Sequence, residues 1–157
     1  MKRKETDFIN ILGIGVFAFF SILEFCGSLD YFFKNLLIIN EADSKMILWL
    51  PEIIDLIVFV ILVVWMINKY INPPEINTRK VLTKLIGIFF GIIILQFLFT
   101  YYGTYYLMEK YSSEFDLYIE GVKDNYELQS YIAFIPILKY MIFAVILLTK
   151  RAANNNV

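Results

Sequence analysis

Within long runs of Ile, Leu, Val and Phe, four residues carry groups able to hold charge or a hydrogen-bond network: Glu24, Asp55, Gln96 and Lys139. An ionisable side chain in an apolar layer is costly unless it is paired or wetted, so each is a functional hypothesis whose partner must be named. In one arrangement Lys139 forms a buried ion pair with Asp55 or Glu24, Gln96 fills the remaining hydrogen bonds, and the cluster fixes which helices are neighbours. In another, the formal surplus of one negative charge holds a proton or admits a cation, and the layer is a site for a coupling ion. In a third, Glu24 and Asp55 simply reach the outer interface.

The chain has no His, which removes Ser-His-Asp and Cys-His nucleophile systems and His-ligated metals together. Its single Cys, Cys26, forms neither an intrachain disulfide nor a Cys-X-X-Cys pair. No Gly-rich phosphate loop is present, and Glu24 with Asp55 lacks the Gly-rich support of an aspartyl dyad. The expectation is a protein that is not an enzyme and uses no cofactor and no metal. With 14 Lys+Arg against 15 Asp+Glu, no basic surplus points to nucleic acid.

These residues need elements to position them. Of the 157 residues, 59% are hydrophobic and only 18% charged, too apolar for a soluble globule of this size. Spanning a hydrocarbon core of about 30 Å takes roughly 20 apolar residues as a helix. Four such stretches are predicted, at about 8–27, 48–68, 81–102 and 131–149, the third with room to continue through Tyr105 and Tyr106. They are apolar all round, which suits helices and not the alternating strands of a barrel. The predicted fold is therefore an all-α integral membrane four-helix bundle forming a single transmembrane domain over 1–157. At about 1.5 Å per residue, Lys139 falls near the middle of its span, Asp55 at a similar depth or one turn deep, and Glu24 and Gln96 in the outer half.

Orientation follows from the basic residues. Lys2, Arg3, Lys4, Lys69, Arg79, Lys80, Lys84, Lys150 and Arg151 fall on one side, against Lys34, Lys45, Lys110 and Lys123 among many acids on the other. Both termini are expected in the cytoplasm, in a multi-pass protein of the cell membrane, with acidic outer loops at about 28–47 and 103–130. The basic start followed by an apolar run could imitate a signal peptide, but no small-residue cleavage site follows it. The inner loop carries the Pro73-Pro74 break, and the outer loops are rich in Tyr and Phe, suited to the headgroup belt or to docking a protein partner. The bias toward Ile, Lys, Asn, Phe and Tyr suits an AT-rich bacterial genome.

The first span aligns on the third with an offset of 72, and the second on the fourth with an offset of 84, which places Asp55 on Lys139. This suggests two tandem helical hairpins repeated about an axis along the membrane normal. Gly87 and Gly91 form a Gly-xxx-Gly step on the side of the third helix away from Gln96, which predicts a homo-oligomer packed there unless a helix of the same chain fills it. Gly13 is expected to make a close contact inside the bundle, and Pro136, about one turn before Lys139 in a continuous fourth span, is counted with Gly13, Gly87 and Gly91 among the helix-packing residues.

Four helices with an acidic residue in the first resemble a small multidrug-type exporter. The departures are larger: Glu24 lies toward the outer end, the orientation is strongly biased and two long outer loops are present. Two classes remain. One is a non-catalytic subunit or scaffold of a membrane assembly, contacting the lipid bilayer and a partner through its outer loops or lipid-facing helices. The other is an oligomeric channel, transporter or membrane-perturbing effector, for example in a bacterial defence system, using the Glu24/Asp55/Gln96/Lys139 layer.

Overall fold

The computed structural model describes residues 2–70 and 78–154, with the side chains of 2–8, 70, 104, 126 and 147–154 left aside. Every element among the described residues is helical: α1 (Lys2–Ile39), α2 (Ser44–Tyr70), α3 (Thr78–Tyr101), a π-helical turn (Tyr102–Leu107), α4 (Met108–Lys110), α5 (Ser112–Asp124), α6 (Tyr126–Ile132) and α7 (Ile135–Asn154). Four stretches are long and apolar enough to cross a membrane: Ile9–Ile39, Ser44–Lys69, Thr78–Lys110 and Glu127–Ile146. The Pro73-Pro74 break lies outside the described residues.

Helix α1 contains no Pro to interrupt its backbone bonds and runs for 38 residues. That is about 57 Å at 1.5 Å per residue, nearly twice a hydrocarbon core. It ends where Glu41 adopts a left-handed φ of 54°. The Glu41 N–H then donates to the Ile38 carbonyl at 3.0 Å and the Ala42 N–H to that of Leu37 at 3.1 Å, satisfying two of the helix's last carbonyls. A left-handed non-Gly residue costs about 1–2 kcal/mol. Glu41→Gly is therefore expected to raise the thermal midpoint of the solubilised protein slightly, the gain being reduced by the extra freedom of the unfolded chain.

Residues 40–43 are all that separates α1 from α2, which folds back along it. Where the sequence suggests an outer loop at 28–47, the helix therefore continues to Ile39. The predicted loop at 103–130 is likewise replaced by the π-turn, α4, α5 and part of α6. The fourth span is broken: α6 stops at Ile132 and α7 begins at Ile135. Pro136 sits in the first turn of α7, where its missing N–H is least missed, and its side chain is exposed instead of packing.

Among the long helices, α1 packs against both α2 and α3, and α7 packs against α2. Among the described residues α3 and α7 do not pair as α1 and α2 do, so the second of the two expected hairpins is not seen there. The main core joins Ile14, Ala18, Ile22 and Cys26 of α1, Phe59, Val63, Met66 and Ile67 of α2, and Leu85 of α3. Phe19 links it to α7, with its ring centroid 4.4 Å from that of Phe143 and 6.3 Å from that of Phe59.

A row at heptad spacing on α1, Ile14, Ser21, Ser28 and Asn35, is also buried. The two serines donate to their own helix, Ser21 Oγ to the Phe17 carbonyl at 2.6 Å and Ser28 Oγ to that of Glu24 at 2.8 Å. Satisfied in this way, they are small enough to admit a neighbouring backbone. Gly13 lies close to α3: a Cβ there would lie 3.1 Å from Leu82 Cδ1.

The short helices close the Ser44 end. Ile38, Ile47 and Phe115 form a second buried cluster that docks α5 on the α1–α2 turn. Two glycines allow the approach: a Cβ on Gly103 would lie 2.8 Å from Asn35 Nδ2, and one on Gly121 would lie 2.6 Å from Ser44 Cβ.

Candidate functional site

The polar residues of the α1–α2 seam follow from helical spacing. Cys26, Asp30 and Lys34 stand at i, i+4 and i+8 on α1, and Glu52, Asp55 and Phe59 at i, i+3 and i+7 on α2, so each set shares a face. Antiparallel packing brings the two faces together, and α7 adds Lys139 from the side.

Lys139 Nζ donates to Asp55 Oδ2 in a salt bridge whose partners are 12% and 2% exposed. The ammonium also lies 5.9 Å from the ring centroid of fully buried Phe59. Such a pair is held as much by the desolvation each charge would suffer alone as by mutual attraction. Cys26, also fully buried, faces Asp55 from α1. One turn toward the cap, Lys34 Nζ contacts Asp30 Oδ2 at 2.7 Å and Glu52 Oε1 at 2.9 Å, all three half-buried. Tyr118 of α5 stands near this triad. Burial pushes its phenol above the ordinary range, the Lys34 ammonium pulls it back, and the Asp30 and Glu52 carboxylates push it up again.

The result is a ladder of five charged groups leading from the core to the cap. Of the four residues expected to share one polar layer, Asp55 and Lys139 meet. Glu24 and Gln96 are half-buried and make no side-chain hydrogen bond or ion pair with them among the described residues. Geometry separates Glu24 from the seam: it lies about 160° around α1 from Cys26. Gln96 stands on α3, which packs chiefly against α1. Asp30, Lys34 and Glu52 are the residues that sequence reasoning left in or beside an outer loop. The signal for them was the i, i+4, i+8 row of Cys26, Asp30 and Lys34 continuing the apolar row Ile14, Ala18 and Ile22.

Gly87 and Gly91 are exposed, and a Cβ at either would meet nothing within 4 Å. The helix surface around them is apolar, with Ile88, Phe90, Ile94 and Leu98 exposed. Beside it, Ala18, Ile22, Trp65, Leu85 and Ile88 line an apolar groove of about 230 Å³ among α1, α2 and α3. Among the described residues no three of His, Cys, Asp and Glu converge to hold a metal ion.

Neither a protein family, nor a curated protein, nor a solved structure matches this chain, so its function is argued from this geometry alone.

Proposed function

We propose that the protein is a small multi-pass membrane subunit that scaffolds an assembly without catalysing a reaction. The observation that carries this reading is the salt bridge of Asp55 with Lys139: these two shielded charges are spent on each other, fixing α7 against α2. With both termini in the cytoplasm, the cap of α5 and its neighbours faces outward and offers a surface to a protein partner. In the bilayer, α3 is the interaction helix. Its Gly87 and Gly91 are left open by the protein's own helices, and small residues of this kind let two helices approach closely in lipid. In the simplest assembly the opposing helix is α3 of a second copy.

Single-molecule photobleaching of the protein in liposomes, with ion flux measured beside it, tests this. The native protein is expected to self-associate without conducting, and Gly91→Leu to return it to monomers with an unchanged melting curve. A native protein that stays monomeric at every protein-to-lipid ratio would remove the α3 interface.

The unequal charges of the ladder favour a second reading, an oligomeric channel, transporter or membrane-perturbing effector. Flux from the native protein that Lys139→Leu alters would establish that reading instead.

A further inference from the structure

The ladder does not balance. Asp55 has the ammonium of Lys139, whereas Asp30 and Glu52 share the single ammonium of Lys34. Three carboxylates thus face two ammonium groups, a formal surplus of one negative charge. The groups facing Asp30 are Lys34 on its own helix, Glu52 and Asp55 on α2, and Tyr118 on α5, with Lys139 of α7 and Cys26 of α1 beside Asp55. None brings a third cation.

Hydrogen bonding points the same way. Asp30 Oδ1 and Asp55 Oδ1 are both sealed from solvent without a hydrogen-bond partner, and the Asp55 side chain is only 2% exposed. A buried carboxylate lacking donors on one oxygen loses part of what stabilises its charge, and the neutral acid gains by comparison. Asp55 has Lys139 to itself, whereas Asp30 has only a share of Lys34. Between the two carboxyls that share Lys34, only Asp30 carries an oxygen that is both sealed from solvent and without a hydrogen-bond partner among the described residues.

We propose that the ladder binds one proton at neutral pH, carried on the carboxyl of Asp30, so that the α1–α2 seam is a proton-binding site. Protonation leaves Lys34 paired with Glu52 and Lys139 paired with Asp55, two neutral pairs beside one neutral acid. Loss of the proton places an unpaired negative charge between α1 and α2 beneath the α5 cap.

The chain has no His, so no side chain with an ordinary pKa changes charge across neutral pH, and the titration is uncrowded. Infrared spectra of the full-length protein in liposomes are expected to show the C=O stretch of one protonated carboxyl at neutral pH. The band should vanish in Asp30→Asn and persist in Asp116→Asn, which changes an exposed carboxylate. Labelling only the aspartates with carbon-13 should shift the band, and this holds the test together even if Asp30→Asn fails to fold. Because the folded protein would hold a proton that the unfolded chain releases, its unfolding constant should rise by about tenfold per pH unit through neutrality, and stay flat in Asp30→Asn. A spectrum of carboxylates alone at neutral pH, a band unmoved by aspartate labelling, or a band that survives in Asp30→Asn would each overturn the proposal.

Discussion

Lys139→Leu is expected to destabilise the folded protein by about 3–5 kcal/mol, the loss typical of removing one partner from a buried pair. The figure applies here because both partners are well shielded, Asp55 at 2% and Lys139 at 12% exposure. Without the ammonium, Asp55 must either remain charged in an apolar surround or take up a proton. Asp55→Leu should cause a comparable loss by stranding Lys139 beside the Phe59 ring. In the double variant both stranded charges disappear, and most of the loss should be recovered, since an apolar replacement of a buried pair is often close to neutral. Unfolding of the four proteins in mixed micelles by denaturant gives the complete cycle. Losses that simply add would show that Asp55 and Lys139 do not act together, and would remove the argument that their pairing fixes α7 against α2.

Gly121→Val is expected to release the α5 cap. The hydrogen of Gly121 points at the start of α2, where a Cβ would sit 2.6 Å from Ser44 Cβ and 2.8 Å from Ser44 Oγ. Because Ser44 Cβ is fixed to the helix backbone, no rotamer change relieves the overlap, and helix must move from helix. Forced overpacking of this kind costs about 1–3 kcal/mol. The second cluster is small, with Ile38, Ile47 and Phe115 as its buried members. A penalty of that size is therefore enough to lift α5 while the main core stays intact. Limited proteolysis should cut within 112–124 in the variant and spare that segment in the native protein. The Tyr118 phenol, raised chiefly by its burial, should move back toward the ordinary tyrosine range when the cap lifts. An uncut α5 with an unshifted phenol would show that the cap tolerates the added side chain.

The four long apolar helices were legible because a run of Ile, Leu, Val and Phe long enough to span a membrane has few alternatives. What escaped was where they stop. Asp30 and Lys34 read as the beginning of a loop, but they lie on the face that meets Glu52, and pairing across the seam lets α1 run on through its charged turns. The break before α7 was not read either: Pro136 was placed inside a continuous span, whereas it stands in the first turn of a new helix. Asp55 with Lys139 was among the pairings the composition allowed. The exclusion of Glu24 and Gln96 depends on helix rotation and on α3 lying along α1, neither of which a depth estimate contains.

The unbroken length of α1 has a mechanical side. Cys26, fully buried where α1 meets Asp55, lies about 20 Å along the axis from Gly13 and about 18 Å from Ile38. Gly13 rests on Leu82 of α3, and Ile38 lies under Phe115 of the cap. The rod is thus held at three places along its length, by α3 at Gly13, by α2 at Cys26 and by the cap at Ile38, and with no Pro inside it a displacement imposed at one hold is resisted at the others instead of being taken up by a hinge.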